Sequence, residues 1–299
     1  MELTKTEIIE AFKDTQDHIC KSLEELDGKS KFKEDLWERS EGGGGRTRVI
    51  SDGDVLEKGG VNFSAVHGPV SDLMKKQLKL EGESFLATGV SIVLHPHNPF
   101  LPIMHMNIRY FEMDNGAYWF GGGIDMTPHY VEENLAKSFH GDLKKVCDEY
   151  KNDFYSKFKK WADDYFFIPH RNETRGVGGI FYDHLTAENT GLSKEELFQF
   201  ALDLGKMFPK LYSFQVNQNR NKNFDEKNIQ WRNIRRGRYV EFNLVYDRGT
   251  QFGLKTGGRI ESILMSLPEN ASWVYNFVPK AGSIEAKTTS FLVKDKKWI

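Results

Sequence analysis

A run near the middle of the chain, Ile103 to Phe111, constrains the fold more than any other feature, because polar and apolar side chains alternate along it from Met104 to Tyr110. Because successive side chains of a β-strand point to opposite faces, His105, Asn107 and Arg109 would share one face. The other face would carry Met104, Met106, Ile108 and Tyr110. The pattern therefore predicts a strand of a sheet that has one apolar face and one face with a base, an amide and a cation.

The neighbouring segments predict both strands and helices. Ser91 to His95 predicts a second strand, joined to the first by a proline-rich turn. Residues 4–27 carry apolar side chains at helical spacing and stop at Gly28. Residues 139–165 carry aromatic and apolar side chains three and four apart, which predicts one long helix. Ser193-Lys-Glu-Glu196 has the spacing of a capping box and predicts the start of another helix.

The segment 238–268 contains a second alternating run. From Arg238 to Arg248 the alternation predicts a strand that puts Tyr239, Glu241, Asn243 and Asp247 on one face. Gln251 to Lys255 would return as a hairpin strand. Gly257-Gly258-Arg259 then precedes apolar residues at helical spacing that end at Pro268. An arginine beside a helix N-terminus suits a carboxylate ligand.

The organisation of the chain favours one domain over residues 1–299. No internal repeat, low-complexity linker or step in composition divides it. Hairpin-like pairs of strands favour an α+β fold over alternating β and α units.

Charge and hydropathy exclude several classes of partner. Lys and Arg total 41 against 43 for Asp and Glu, and no block of like charges indicates nucleic-acid binding. No apolar stretch is long enough to span a membrane, and acidic residues near the start argue against a targeting peptide. Cys20 and Cys147 lie far apart without a metal-binding or disulfide pattern. These features predict a cytoplasmic protein without a transmembrane segment.

Familiar catalytic and nucleotide motifs are missing. The run Glu41-Gly-Gly-Gly-Gly-Arg-Thr-Arg48 is not a Walker loop and lacks the offsets of a dinucleotide fingerprint. It predicts a flexible glycine loop, with anion binding by its amides as the alternative. No Gly-x-Ser-x-Gly elbow supports a hydrolase that uses an acyl-enzyme.

Arginines near glycines or on polar strand faces indicate the kind of ligand. They are Arg48, Arg109, Arg175, Arg248 and Arg259. A guanidinium can hold a carboxylate through two parallel hydrogen bonds, so together they favour a ligand with several carboxylates. A surface salt bridge is the alternative for each arginine taken alone.

Four histidines lie near turns or polar faces and raise a metal hypothesis. They are His95, His105, His140 and His170. Their spacing matches no known metal motif, so separate hydrogen-bonding or acid-base roles are the alternative to one divalent metal site.

Longer motifs resemble those of oxygen-dependent coproporphyrinogen III oxidases. They are Ser91-Ile-Val-Leu-His-Pro-His-Asn-Pro-Phe100, His105-Met-Asn-Ile-Arg-Tyr-Phe-Glu112, the segment 239–254 and Thr256-Gly-Gly-Arg-Ile-Glu-Ser-Ile-Leu-Met-Ser-Leu-Pro268. Segments 43–48, 57–62, 120–128 and 170–181 share the likeness, which covers nearly the whole chain. One departure is Tyr182-Asp183-His184, where the family usually has two acidic residues after the aromatic one.

This resemblance implies a fold and a reaction. The fold would be a flat, mostly antiparallel sheet of about seven strands sandwiched between helices. Two copies would form a homodimer through about residues 239–274. The reaction would convert the ring A and ring B propionates of coproporphyrinogen III to vinyl groups, giving protoporphyrinogen IX for heme synthesis. Dioxygen would accept the electrons, with CO2 and H2O2 as by-products and no flavin or heme.

The resemblance also implies site residues. By motif position, His105 is similar to the residue that serves as proton donor in the family. The residues that match substrate contacts of the family are Ser91, Asn107, Ile108, Arg109, Gly257, Gly258 and Arg259. Arg248, from the arginine set, joins the substrate-binding candidates. Asp247 is the candidate for holding the pyrrole N–H groups, with a turn-forming aspartate as its alternative. Bacterial members have been credited with a metal at positions that match His95, His105, His140 and His170, whereas other members are described as needing none.

Two other functions fit the same residues. A tetrapyrrole-binding or carrier protein without catalysis would use the same arginines and aromatic side chains. A metal-dependent enzyme would use the four histidines. Turnover of coproporphyrinogen III would distinguish the oxidase from a carrier protein. Elemental analysis of the purified protein would show whether a metal is bound, as a metal-dependent enzyme requires.

Overall fold

Long antiparallel strands and amphipathic helices make up the computed structural model, which describes residues 3–71, 75 and 81–299. The strands are β1 Lys33–Glu38, β2 Gly43–Ser51, β3 Leu56–Pro69, β4 Ser84–Pro96, β5 Ile103–Met113, β6 Tyr118–Thr127, β7 Phe167–Ile168, β8 Glu173–Thr174 and β9 Gly178–Leu185. The helices are α1 Lys5–Asp27, α2 Glu133–Tyr150, α3 Phe154–Tyr165, α4 Ala187–Thr190, α5 Lys194–Asn219, α6 Glu226–Val245, α7 Arg248–Lys255, α8 Ile260–Leu264 and α9 Ile284–Phe291.

The main sheet has seven strands in the order β1-β2-β3-β4-β5-β6-β9, and every neighbouring pair is antiparallel. Strands β7 and β8 form a separate small pair. Neighbours in the main sheet follow the order of the chain, as expected where short connections join antiparallel strands. The expected α+β fold with a seven-stranded antiparallel sheet is confirmed.

One face of the sheet forms the hydrophobic core with α1, α2 and α5. The predicted alternation of β5 holds: Met106, Ile108 and Tyr110 are fully buried, and their side chains belong to this core. Phe12 of α1 packs edge-on against Phe198 of α5. Burying large apolar side chains at about 1.5–3 kcal/mol each stabilises this layer and fixes which face of β5 points outward.

The opposite face is partly covered by segments from the second half of the chain. Tyr239 of α6 packs with Val93 and Ile103 of the sheet. At the other end, Ser262 of α8 lies 2.8 Å from Thr47 of β2, joining two hydroxyl groups. Helices therefore flank both faces, and the polar side chains of β5 face the layer that contains α6 and α8.

Two helix predictions are confirmed and a third needs correction. Gly28 ends α1 in the left-handed conformation, and the Ser193 side chain accepts the Glu196 N–H at the start of α5. The single long helix predicted over 139–165 is wrong, because α2 and α3 are separate helices. Lys151 is extended, with φ of −159°, so the helical hydrogen-bond ladder stops before Phe154.

The strands predicted over 238–248 and 251–255 are also wrong. Residues of both segments are helical, in α6 and α7. In α6, Arg235, Tyr239 and Phe242 are buried at the spacing of a helix face. An alternating stretch can contain a helical pattern as well, and packing of this face against the sheet selects the helix.

The glycine run is not a flexible loop. Gly43, Gly44 and Gly45 begin β2 and pair with β3, and Gly44 and Gly45 also pair with β1. A Cβ on Gly45 would lie 2.2 Å from the Trp37 indole ring, so glycine allows this close approach. The run forms the start of β2, which lies between β1 and β3 and is held in place by hydrogen bonds to both strands.

Candidate active site

A buried ion pair supports the imidazole on the polar face. His105 of β5 and Asp125 of β6 are direct cross-strand partners, and His105 Nδ1 lies 2.7 Å from Asp125 Oδ1. Arg175 Nη2 donates to both oxygens of the same carboxylate, at 2.7 and 2.8 Å. Burial would raise the pKa of Asp125, but Arg175 and His105 outweigh it and hold that pKa below its ordinary value. Asp125 therefore remains a carboxylate that orients the imidazole.

Arg175 is held by aromatic rings as well as by Asp125. Its guanidinium lies 4.4 Å from the ring centre of Phe166, 4.6 Å from Tyr239 and 4.7 Å from Phe242. Nη1 also donates to Asn243 Oδ1 at 2.7 Å. Only 3% of this side chain is exposed. Arg175 was predicted to hold a ligand carboxylate, whereas the carboxylate it holds is the protein's own Asp125.

A row of small and polar residues crosses the sheet beside His105. The aligned positions, from β2 to β6, are Thr47, Asn62, Ser91, Asn107 and Gly123. Thr47 Oγ1 donates to Asn62 Oδ1 at 2.6 Å, and Ser91 and Asn107 are half-buried. The predicted substrate contacts Ser91 and Asn107 therefore lie together on the face that carries His105.

A second row, parallel to the first, contains a partly exposed cation. Arg109 aligns with Gly89 on one side and Gly121 on the other. Its Nη2 atom lies 2.9 Å from Asp183 Oδ2, and 36% of the side chain is exposed. A Cβ on Gly121 would lie 2.5 Å from Asp183 and 2.7 Å from Arg109, so the glycine makes room for this pair. Arg109 is placed where a ligand carboxylate could reach it.

The segment 247–259 contains the other predicted binding residues. Arg259 pairs with Asp35 of β1 and donates to Ser262 Oγ at 3.0 Å. Gly257 is exposed in the left-handed conformation, and Gly258 is half-buried. The Arg248 guanidinium is 5.0 Å from the Tyr165 ring centre. Because Asp35 is the cross-strand partner of Thr47, Arg259 lies at the β1 end of the polar row. Arg248 lies beside α3 instead.

Asp247 caps a helix. One carboxylate oxygen accepts from Tyr165 Oη at 2.7 Å and the other from Thr250 N at 2.7 Å, at the start of α7. Tyr165 packs edge-on against Phe166 and Phe242, two of the rings around Arg175, so the Asp247 carboxylate lies near the buried pair. Asp247 therefore has the local structural role that was the alternative for it, and it also lies close enough to the site for the predicted role in substrate binding to remain a prediction.

Arg48 forms salt bridges within the protein, which was the alternative to ligand binding for each arginine taken alone. It lies on the helix side of β2, where it donates to Glu34 at 2.8 and 2.9 Å and contacts Asp17 at 2.6 Å. It joins β1, β2 and α1, on the face opposite Thr47.

The four histidines do not converge within the described residues, and no three histidine, cysteine or acidic side chains there are grouped to hold a metal. His95 Nε2 bonds to the carbonyl oxygen of Ser266 at 2.8 Å. His140 uses both nitrogens, toward Tyr155 Oη at 3.0 Å and Val177 O at 2.9 Å. His170 lies between Tyr246 Oη and Glu241 Oε2, each at 2.7 Å. The donor set does not fit one metal site in this chain.

Comparison with known proteins identifies the family of this chain. A family model described as Coproporphyrinogen III oxidase matches residues 7–298. The chain belongs to this family. It is 47% identical over 299 residues to coproporphyrinogen-III oxidase 1, chloroplastic, of Arabidopsis thaliana, covering 95% of this chain and 76% of the relative. It is 46% identical over 307 residues to the oxygen-dependent coproporphyrinogen-III oxidase of Prochlorococcus marinus (strain NATL1A), covering 95% and 88%.

Membership of the coproporphyrinogen III oxidase family leaves the role of each residue to be argued from geometry. Ile108, predicted as a substrate contact, is fully buried with its side chain on the core face. Asp125 was not singled out, although it lies inside a motif that carried the resemblance. Its partner Arg175 is 50 positions away along the chain. A polar side chain within the buried β6 was the one available signal for Asp125.

No helix of this family member, over the part of the chain that the structure describes, is long and apolar enough to cross a membrane.

Proposed function

We propose that this chain is an oxygen-dependent coproporphyrinogen III oxidase that converts the ring A and ring B propionates to vinyl groups, giving protoporphyrinogen IX in heme biosynthesis. In each step a –CH2CH2COOH side chain and O2 become –CH=CH2, CO2 and H2O2. Carbon is oxidised by two electrons and dioxygen is reduced by two. The observation that supports this most directly is the polar, glycine-lined sheet face with His105, Asn107 and Arg109 side by side.

His105 is the group that we assign to proton transfer. With Nδ1 held by Asp125, the other ring nitrogen is left to accept or donate a proton, and 21% of the side chain is exposed on the polar face. Which ring nitrogen carries the proton in the resting state follows from the carboxylate partner. A pyrrole is electron-rich, so drawing away its N–H proton would promote reaction with O2. The protein then supplies orientation and proton transfer.

Binding would rely on charge at the rim and a flat surface at the centre. Glycines at positions 89 and 123 remove side chains from the sheet face, so an apolar macrocycle could approach the backbone there. Arg109 would hold one carboxylate of the substrate, and Arg259 another after exchanging Asp35 for it. Neither flavin nor heme is required in this proposal, and O2 is the co-substrate.

The test is to incubate the purified chain with coproporphyrinogen III in air and without oxygen, adding no cofactor. Products are followed by chromatography and mass spectrometry. Stepwise loss of two carboxyl groups in air alone supports the oxidase. Tight binding without product in either condition would contradict it and favour a tetrapyrrole carrier. Turnover that disappears with the metal content of untagged protein would favour the metal-dependent alternative.

We also propose a homodimer through about residues 239–274, acting in the cytoplasm as a single domain. Large apolar side chains are exposed in this segment, with 52% of Val245, 56% of Trp273 and 53% of Val274 accessible. A contiguous apolar patch on a folded chain favours an interface. Light scattering of the purified protein should give twice the mass of one chain, and Val274→Asp should reduce it to a single copy. An unchanged mass in Val274→Asp would remove this segment from the interface.

A further inference from the structure

At one end of the polar face, four flat side chains from adjacent strands lie against one another. Phe85 and Phe111 have ring centres 5.6 Å apart, Phe111 and Trp119 4.2 Å, and Trp119 and His184 4.7 Å. Their planes differ by 3°, 17° and 13°. The stack runs from β4 to β9 beside Arg109. Its outermost ring, His184, is the one member that can carry a charge.

His184 reaches this face through an irregularity in β9. Regular alternation would put it on the face opposite Asp183. Instead its φ is 53°, in the left-handed region, and the pairing with β6 shifts register between Phe120 and Gly122. A residue other than glycine in this conformation is strained and needs compensation from its surroundings. Here the stack on Trp119 and the contact with Asp183 provide it.

Asp183 lies between two basic groups. Its Oδ2 atom is 2.9 Å from Arg109 Nη2 and 3.5 Å from His184 Nδ1. Burial would raise the pKa of Asp183, but His184 and Arg109 outweigh it and bring that pKa to about 2. Asp183 is therefore charged at any pH near neutrality and competes with a ligand for Arg109.

Two uncharged side chains also contact His184 among the described residues. Trp119 of β6 covers one side of the ring, and the amide of Asn189 in α4 donates to the His184 carbonyl oxygen at 2.7 Å. The charged groups that face the imidazole are thus Asp183 from its own strand and, beyond that carboxylate, Arg109 from β5. The His184 ring is accessible to solvent, with 54% of its side chain exposed.

We propose that His184 sets how strongly Arg109 holds a substrate carboxylate. The inference rests on the proposed function of this face as a site for a tetracarboxylate macrocycle. A ligand carboxylate at Arg109 would put two negative charges around one guanidinium. A protonated His184 balances the second charge and a neutral one does not, so ligand binding and protonation of His184 favour each other. His184 acts through Asp183 and Arg109, and is a positioning residue.

The test measures binding without turnover. Coproporphyrin III, the oxidised macrocycle with the same four carboxylates, is titrated into the full chain by fluorescence quenching from pH 5.5 to 8. The wild type is compared with His184→Asn, because asparagine tolerates a left-handed backbone. From low to high pH the wild type should lose about two- to fivefold in affinity relative to this variant, the size expected for a partly exposed charge. Taking the ratio at each pH removes ionisation of the ligand itself.

Two further variants make the result specific. His184→Lys keeps the positive charge and should bind at pH 8 as the wild type binds at pH 5.5. His18→Asn, on the exposed face of α1, is the matched control and should follow the wild type at every pH. With coproporphyrinogen III, the His184 effect should appear in KM and leave kcat at saturation unchanged.

The outcomes separate this inference from the proposed function. If His184→Asn follows the wild type across the whole pH range, the role of His184 is overturned and the tetrapyrrole site stands. If the wild type neither binds coproporphyrin III at any pH nor forms product from coproporphyrinogen III in air, the proposed function is overturned and the inference with it. If it forms product without binding the porphyrin, a KM that has the same pH dependence in the wild type and in His184→Asn overturns the inference alone.

Discussion

Asp125 contacts both of the groups that distinguish the polar sheet face. It accepts from Arg175 through two bonds and faces His105 Nδ1 at 2.7 Å. Taking one member from a buried ion pair typically costs about 3–5 kcal/mol, because the remaining charge is left without compensation. The imidazole, by contrast, is partly exposed and can be replaced without disturbing that pair.

We expect His105→Asn to lower kcat about 100-fold or more, because the side chain that moves the proton is lost. Asparagine can still donate to Asp125, so the melting temperature should change little. Steady-state kinetics and calorimetry measure the two effects. His18→Asn is the control, and a normal kcat in His105→Asn would remove this histidine from proton transfer.

Asp247→Asn separates the two roles of Asp247. Asparagine caps helices as well as aspartate does, so the bond to Thr250 N and the fold should be retained. If the carboxylate holds the pyrrole N–H groups, losing its charge should lower kcat by about 100-fold. A variant with normal kcat would assign Asp247 to helix capping alone. Tyr165→Phe, which removes the other contact, should have a smaller effect.

At the scale of elements, an ion pair ties α8 to the β1 edge of the sheet, and in the proposed function a substrate carboxylate would replace Asp35 in this pair. Arg259 precedes α8, and Asp35 lies on β1. We expect Arg259→Ala to raise KM about tenfold, the amount typical of a lost charge-assisted hydrogen bond. Asp35→Asn should lower KM by up to about fivefold, since the competitor for Arg259 is neutralised. A collapse of kcat at constant KM in Arg259→Ala would contradict this assignment.

Position 179 in β9 has no room for a side chain, because the backbone of Ile124 in β6 is too close. A Cβ there would lie 1.9 Å from the Ile124 carbonyl oxygen of β6, and a backbone atom cannot move aside as a side chain can. Gly179→Ala should therefore lower the free energy of unfolding by about 1–3 kcal/mol. Gly141 of α2 has no atom within 4 Å of its Cβ position, so Gly141→Ala should raise it by about 0.5–1 kcal/mol. Urea denaturation measures both, and equal effects would contradict the steric explanation.

The elements that could be predicted from sequence are those with a single local pattern. Alternation predicted β5 correctly, and the capping box predicted the start of α5. In α6 and α7 the polar and apolar residues alternate and also repeat at helical spacing. Packing against the sheet therefore decides that these segments are helices and not strands. The partnership of Asp125 with Arg175 has no local signal at all, since sheet topology alone brings the two together.

For the whole molecule, three buried histidines predict sensitivity to acid. Burial lowers the pKa of His140 to about 4 and lowers those of His95 and His129 well below their ordinary value. The unfolded chain therefore binds more protons, and their contribution to stability is complete above pH 6.5 and is lost as the pH falls toward 4.

The melting temperature should accordingly be constant above about pH 7 and fall between pH 6.5 and 4. Scanning calorimetry in buffers of equal ionic strength measures this change. His140→Gln should be less stable than the wild type at pH 8 and lose less on acidification. A melting temperature in the wild type that is flat down to pH 4 would contradict the neutral burial of these rings.

The strand order β1-β2-β3-β4-β5-β6-β9 also has a consequence for how the protein folds. Nearly every strand pairs with the next one along the chain, so the sheet can grow by successive hairpins, each with a small loop-closure cost. His105 and Asp125 face each other within one such hairpin and would meet early. β9 joins after α2 and α3, and Arg175 immediately precedes it. The Asp125 charge would therefore remain without its Arg175 partner until the last strand of the main sheet docks.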